Sequence, residues 1–123
     1  MARFIYWNEN PNGEHIGDCV VRAITLATGL PYEDVEDKLW LTAELLGCVD
    51  ICPFCYRNLL ENVFQFREVN PNNMTIREFA DTHSYGTYIL RIPSHLTCII
   101  DGDLYDIWDC RDSETITDAW QAE

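Results

Sequence analysis

The chain has 123 residues, of which 47% are hydrophobic and 24% are charged. This length fits a single domain over residues 1–123, and the composition is that of a globular protein rather than a disordered one. Twenty-one acidic residues against eight basic ones give a formal net charge of −13. Because Lys and Arg provide most of the affinity for nucleic acids and anionic membranes, this charge argues against both as partners and leaves basic partners or mimicry of a nucleic-acid surface.

Six cysteines are many for this length, and their redox state depends on the compartment. Residues 1–5 lead directly into the polar segment 8–10 with no apolar signal core, and no segment approaches the ~20 apolar residues that span a bilayer. We therefore expect a cytoplasmic protein with reduced thiols, most of them buried as small hydrophobic side chains.

The first half of the chain predicts one strand followed by three helices. Residues 4–7 are typical of a strand, and a polar loop follows them. Apolar residues at helical spacing predict a helix over 19–28, with Asp18 as its N-cap. Two further helices are predicted over residues 31–46 and from residue 53 onward.

The second half is predicted to be mainly strands. A short strand over 64–69 precedes the capping-box sequence Thr75-Ile76-Arg77-Glu78, which predicts a helix to about residue 83. Three strands then follow, over residues 86–92, 95–100 and 104–108. Helices first and an antiparallel sheet second predict the α+β class.

Cys19 and His95 are the strongest candidates for a catalytic pair. Cys19 begins the predicted helix 19–28, where unpaired N–H groups and the helix dipole lower the pKa of a thiol. His95 begins a predicted strand after Pro93 and Ser94, and a neutral imidazole there can accept the thiol proton. A third group must then orient the imidazole.

The register of the last hairpin decides which carboxylate is that third group. A three-residue loop at 101–103 places Asp109 opposite His95 on the same face of the sheet. A two-residue loop instead places Trp108 opposite His95, with Asp106 diagonal to it. A slip of one residue exchanges the faces of every side chain, so the two registers exclude each other. We prefer Asp109 and keep Asp106 in reserve.

Four segments carry a resemblance to a known family. They read GDCVVRAI at 17–24, ATGLPYEDV at 27–35, GTYILR at 86–91 and DGDLYDIWD at 101–109. Together they resemble small phage and bacterial papain-like cysteine peptidase domains, and the order of the elements is similar to that of bacteriocin-processing peptidases. The resemblance covers about residues 8–110. It implies a papain-like fold in which Cys19 is the nucleophile, His95 the general base and Asp109 the orienting group.

One position departs from the pattern of that family. Papain-like enzymes usually have a glutamine about six residues before the cysteine, where it completes the oxyanion hole, and this chain has Gly13. Asn10 or Asn12 offers an amide instead, and His15 is also near in sequence. The loss of one such donor typically costs about 10²–10³ in rate.

Cys48, Cys52 and Cys55 form a second thiol-rich segment. The Cys-Pro-Phe-Cys motif within it resembles a glutaredoxin active site, but it lies between two helices in the middle of the chain rather than after an N-terminal strand. A structural zinc site needs four ligands, so Asp50 or Cys110 would have to complete one. A disulfide is a further alternative, and buried thiols are the interpretation we favour.

These observations predict a papain-like α+β domain that hydrolyses or transfers a peptide, isopeptide or amide bond. Cys19 attacks the carbonyl, His95 moves the proton and Asp109 holds the imidazole, with no metal or organic cofactor. Acidic residues are concentrated at 33–37 and 101–114, so a basic peptide or protein substrate is expected. The alternatives are a catalytically idle, acidic inhibitor or binding protein of phage type acting in a bacterial cytoplasm, and a redox or metal protein built on the three clustered cysteines.

Overall fold

The helices and strands follow the hydrophobic pattern of the sequence and confirm the α+β class. The structure is a computed structural model that describes residues 1–122. Its helices are α1 (Cys19–Thr28), α2 (Tyr32–Leu46), α3 (Pro53–Asn58), which continues into a π-helical turn at Leu59–Val63, and α4 (Ile76–Thr82). Its strands are β1 (Phe4–Tyr6), β2 (Arg67–Val69), β3 (Thr87–Ile92), β4 (His95–Ile100), β5 (Asp103–Asp106) and β6 (Asp118–Ala122).

The six strands form one sheet in the order β1-β5-β4-β3-β6-β2. The sequence predicted a small antiparallel sheet, and the sheet differs in two respects. Strand β1 is parallel to β5, with Phe4 opposite Leu104. Strand β6, which the sequence analysis missed, pairs with both β3 and β2 and carries the fully buried Trp120. Its short Asp-Ala-Trp-Gln-Ala run has no strong alternation to mark it.

Both faces of the sheet are covered. Helices α1, α2 and α3 pack on the face that carries Ile89, Leu96 and Trp120, and α4 packs on the face that carries Leu90 and Ile99. Because successive side chains of a strand point to opposite faces, β3 and β4 carry buried apolar residues on both faces. His95 stands at the end of one of these central strands.

Local sequence signals set most helix ends, with one exception at the site. Thr75 and Glu78 form the predicted capping box at the start of α4. Asp18 stands at the N-cap position of α1, but its side chain makes no capping hydrogen bond. The predicted N-cap position of Asp18 is therefore confirmed, but its carboxylate binds other side chains instead of the helix backbone. Within the described part of the chain, no helix combines the length and apolar character needed to cross a bilayer.

The hairpin between β4 and β5 has a two-residue loop. Ile100 pairs with Asp103, which leaves Asp101 and Gly102 as the loop. Both loop residues have positive φ values, 50° and 80°, as the tight Asp-Gly hairpin turn requires. The three-residue loop preferred from the sequence is therefore wrong. The correction moves every side chain of β5 to the other face relative to β4.

Candidate active site

A helix start and a strand start bring Cys19 and His95 into one cleft. Cys19 is the first residue of α1, His95 is the first residue of β4, and α1 packs along β4. Both side chains line a cleft of about 440 Å³, and both are partly buried. The thiol of Cys19 and the imidazole of His95 therefore line the same cleft.

Asp106 holds the imidazole of His95. Its Oδ2 atom lies 2.7 Å from Nε2 of His95 and also accepts a hydrogen bond of 2.7 Å from the hydroxyl of Thr97. An ionised carboxylate can only accept, so Nε2 carries the proton and Nδ1 is the ring nitrogen left for the thiol. Asp106 is almost fully buried, with 2% of its surface exposed. Its contacts fix the orientation and tautomer of the imidazole.

Asp109, the preferred third group from the sequence, lies elsewhere. It is exposed, and its carboxylate accepts two hydrogen bonds of 2.8 Å from the guanidinium of Arg111. The two-residue hairpin loop is the reason, because it brings Asp106 rather than Asp109 to His95. That register also packs Trp108 edge-on against the imidazole, with ring centroids 4.9 Å apart. Asp106, which the sequence analysis kept in reserve, is therefore the carboxylate that contacts His95.

Arg22 links the two buried acids of the site. Its Nε donates to Asp18 at 2.6 Å and its Nη1 donates to Asp106 at 3.0 Å. Asp18 also accepts hydrogen bonds from the hydroxyl of Tyr32 at 2.7 Å and the amide of Asn10 at 3.0 Å. Sequence reasoning missed this network, although the spacing of four residues between Asp18 and Arg22 on one helix was a signal for the first pair.

The electrostatics of the site favour a thiolate beside an imidazolium. Burial raises the pKa of Cys19, but hydrogen bonding to His95 and the nearby Arg22 charge more than offset it, so the pKa lies below the usual thiol value. Burial lowers the pKa of His95, yet hydrogen bonds to Asp106, Cys110 and Cys19 raise it well above its ordinary value. Burial likewise raises the pKa of Asp106, but the contacts with His95 and Thr97 keep it lowered. A thiol with a lowered pKa is more ionised near neutral pH than an ordinary thiol.

A second thiol, Cys110, lies on the buried side of His95. Possible ligand atoms of His95, Asp106 and Cys110 all lie within 4.8 Å of one another. Zinc bonds of about 2.0–2.2 Å to nitrogen and oxygen would hold those two atoms more than about 3 Å apart. The separation of 2.7 Å between His95 Nε2 and Asp106 Oδ2 therefore fits a hydrogen bond rather than a shared metal ion. Burial raises the pKa of Cys110, so it lacks the activation of Cys19.

A catalytic thiol would need hydrogen-bond donors for an oxyanion, and the groups that could supply them lie around the start of α1. The backbone N–H of Cys19, at the start of α1, has no partner within the helix. Asn10 is buried, and its amide donates to Asp18 while its oxygen accepts from the backbone N–H of Asn12. His15 is exposed and bonds the hydroxyl of Tyr6 at 2.6 Å. Asn10 and His15, which the sequence offered in place of a glutamine, are therefore engaged in contacts within the loop.

The walls of the cleft are aromatic and acidic. Tyr32, Trp40 and Tyr56 supply aromatic surface, and Glu36 and Asp50 supply carboxylates. The cleft also contains Arg91, but its guanidinium is paired with Asp118 at 2.9 Å. The carboxylate of Asp18 is likewise neutralised by Arg22. The remaining charge in the cleft is negative.

The six cysteines are free thiols, and three of them are fully buried rather than most of them. Cys48 and Cys52 are partly exposed with their sulfur atoms 4.0 Å apart. Cys55 is buried, and its thiol donates to the backbone oxygen of Leu39. Cys110, a possible fourth zinc ligand from the sequence, lies beside His95 instead. The geometry thus offers a thiol pair in this segment rather than a four-ligand site.

Comparison with known proteins gave no match of any kind. No family model, no curated protein and no solved structure matched the chain. The interpretation of the site therefore depends on the geometry of its residues.

Proposed function

We propose that the protein is a papain-like cysteine hydrolase that acts on a peptide or amide bond. The observation that supports it is that Cys19 and His95 line one cleft, while the buried carboxylate of Asp106 contacts the imidazole of His95 from beneath the cleft surface. A thiol with a lowered pKa, a histidine beside it and a buried carboxylate that orients the histidine are the parts that nucleophilic acyl transfer requires. In this proposal Asp106 takes the role that the sequence gave to Asp109.

The reaction follows from the charges of these groups. The Cys19 thiolate attacks the substrate carbonyl carbon, and the backbone N–H of Cys19 stabilises the oxyanion that forms. His95 gives its Nδ1 proton to the departing amine, which leaves a thioester on Cys19. Neutral His95 then takes a proton from water as the water oxygen attacks the thioester carbon, and cleavage of the C–S bond releases the acid and restores the Cys19 thiolate beside the imidazolium. Asp106 stabilises the imidazolium during both steps.

The substrate is proposed to be basic. Glu36 and Asp50 face the cleft, and Trp40 adds an aromatic surface on which a Lys or Arg side chain can rest. The net charge of −13 draws cationic molecules toward the whole chain. In this proposal the charge of the cleft walls selects the substrate. The bond that is cleaved is the one that binds next to the Cys19 sulfur.

Peptide cleavage tests the catalytic proposal directly. A peptide library rich in Lys and Arg is incubated with the protein at near-neutral pH, and new termini are identified by mass spectrometry. We expect cleavage by the unmodified chain and by Cys110→Ala, and none by Cys19→Ala. Both variants remove one thiol next to His95, so only loss of the nucleophile distinguishes them. Equal cleavage by Cys19→Ala and the unmodified chain would refute a role for Cys19.

Charge selection is tested with thiol reagents of opposite charge. The rates at which a cationic and an anionic methanethiosulfonate modify Cys19 are compared, and we expect the cation to react faster at low salt. Glu36→Gln should reduce that preference, because Glu36 lines the cleft. Asp112→Asn removes the same charge from an exposed pair with Arg77 and should leave the preference unchanged. An unchanged preference in Glu36→Gln contradicts charge selection by the cleft.

A binding protein without catalysis is the second candidate. The observation that favours it is the missing glutamine, because the amide of Asn10 is committed to Asp18. An inhibitor or adaptor would keep the acidic cleft as a docking site for a basic protein. A library that yields no cleavage, together with retention of Lys-rich and Arg-rich peptides by immobilised protein, would decide for this function.

A further inference from the structure

Two cysteines outside the catalytic cleft are positioned as a pair. The sulfur atoms of Cys48 and Cys52 are 4.0 Å apart, and both residues are partly exposed. Cys48 follows the end of α2 at Gly47, and Cys52 directly precedes α3. The pair therefore lies at the short connection between two helices, and its sulfurs have to approach by about 2 Å to reach the disulfide bond length of about 2.05 Å.

The structure distinguishes Cys48 from Cys55 as the partner of Cys52. The Cys-Pro-Phe-Cys motif pairs Cys52 with Cys55 by sequence alone. However, Cys55 is fully buried, its thiol donates to Leu39, and burial raises its pKa to about 11. A thiol in that position is neither accessible nor ionised near neutral pH. Cys48 is the sulfur that lies next to Cys52.

The two thiols of the pair also differ in reactivity. Backbone N–H groups at the start of α3, that of Cys55 above all, lower the pKa of Cys52. Burial and the adjacent Cys52 raise the pKa of Cys48. A thiol with a lowered pKa beside one with a raised pKa is the arrangement of an attacking and a resolving cysteine.

We propose that Cys48 and Cys52 are a redox-active dithiol that forms a reversible disulfide by exchange with low-molecular-weight disulfides such as oxidised glutathione. The Cys52 thiolate attacks one sulfur of the small disulfide, which forms a mixed disulfide on Cys52 and releases one small thiolate. Cys48 loses its proton to solvent and attacks the Cys52 sulfur, which forms the intramolecular disulfide and releases the second small thiolate. Two protein thiols are oxidised and one small disulfide is reduced to two thiols.

The pair borders the cleft that contains Cys19. Asp50 and Ile51, which lie between the two cysteines, and Pro53, which follows them, all line that cleft. Oxidation therefore fixes one wall of the cleft covalently. The exchange chemistry itself does not depend on the proposed hydrolase activity, because neither Cys19 nor His95 takes part in it.

Peptide mapping of the full chain tests the proposal. The folded protein is equilibrated in mixtures of reduced and oxidised glutathione, remaining thiols are alkylated, and the chain is cut before Asp residues without reduction. Cleavage before Asp50 separates Cys48, in peptide 37–49, from Cys52 and Cys55, which share peptide 50–80. We expect these two peptides to become linked, with a loss of two hydrogen atoms, and to separate again when reduced glutathione is in excess.

Three variants assign the roles of the thiols. Cys48→Ser should trap a glutathione on Cys52, because the resolving thiol is missing. Cys52→Ser should leave Cys48 as a free thiol under the same conditions. Cys55→Ala should keep the link between the two peptides, and if that variant does not fold, the map of the unmodified chain still separates the two pairings.

Three results would overturn the proposal. The first is a disulfide confined to peptide 50–80, which would pair Cys52 with Cys55. The second is the persistence of both thiols in excess oxidised glutathione while the protein remains folded. The third is stoichiometric zinc that protects Cys48 and Cys52 from alkylation until a chelator removes it, since that would make the segment a metal site.

Discussion

Replacement of Asp106 by asparagine separates its role from that of Asp109. Asp106 Oδ2 lies 2.7 Å from Nε2 of His95, and the carboxylate is buried. Two unit charges about 4 Å apart attract by about 4 kcal/mol at an effective dielectric constant near 20. Since about 1.4 kcal/mol corresponds to a factor of ten, this attraction favours the imidazolium by about three powers of ten. Asp106→Asn keeps the shape of the side chain and removes that attraction.

The rate of alkylation of Cys19 by iodoacetamide reports the change. A free thiol with a pKa of about 8.5 is about 1% ionised at pH 6.5, so fast alkylation there requires the imidazolium. We expect Cys19 in the unmodified chain to react faster than free cysteine at pH 6.5, with a rate inflection below that of a free thiol. Asp106→Asn should react at least about tenfold more slowly than the unmodified chain, because lower nucleophilicity of a low-pKa thiolate offsets part of the electrostatic gain.

Asp109→Asn is the matched control. It makes the same chemical change three positions away, at an exposed carboxylate paired with Arg111. Its alkylation rate should stay within about twofold of the unmodified chain, since it does not contact the imidazole. The reasoning fails if Asp109→Asn slows the reaction as much as Asp106→Asn, or if Asp106→Asn leaves the rate unchanged. Far-ultraviolet circular dichroism of each variant confirms that the rates are measured on folded protein.

Three further predictions concern stability. Arg22→Met leaves Asp18 and Asp106 buried without their shared cation, and it should cost about 3–5 kcal/mol in urea unfolding, whereas Arg77→Met at an exposed pair should cost little. Thr75→Ala removes the capping box of α4 and should cost about 1 kcal/mol in the same assay, and no loss would contradict the capping geometry. The pKa values of Asp18 and Asp106 are lowered in the folded chain. The stability that their ionised forms contribute is therefore fully present above the unfolded pKa of about 3.9, and it is lost as the pH falls through the folded pKa values. Acid titration of the unfolding free energy should therefore be shallower in Asp106→Asn than in the unmodified chain.

Much of the fold could be predicted from the sequence because its local signals agree with its packing. The bounds of α1 match the prediction, and Gly29 ends it in a left-handed conformation with φ of 73°. The bounds of β4 match as well, since β4 contains no Gly or Pro and is bounded by the turn at Ser94 and the loop at Asp101. The two residues proposed as nucleophile and base stand at the starts of these elements, which is why periodicity could place them.

The identity of the third member of the site depended on the length of the hairpin loop, which hydrophobic periodicity does not determine. A loop of two or three residues fits the sequence Asp-Gly-Asp equally well by composition, and the two choices exchange the faces of β5. The positive φ values of Asp101 and Gly102 decide the shorter loop, and with it Asp106. Arg22 was missed for a related reason, because its contact with Asp106 joins residues 84 positions apart in the chain. Long-range contacts of this kind follow from the register rather than from local pattern.

The ion pairs of the arginines leave the negative charge at the cleft without a nearby free cation from these side chains. Six of the seven arginines form ion pairs with carboxylates: Arg3, Arg22, Arg57, Arg77, Arg91 and Arg111. The charge of these guanidinium groups is therefore neutralised by adjacent carboxylates, and the remaining carboxylates determine the electrostatic field around the chain. Glu36 and Asp50 extend that field into the cleft. A hydrolase and a binding protein would both select basic partners by this means, so the proposal of a basic partner holds for either function. The reactivity of Cys19 distinguishes the two functions.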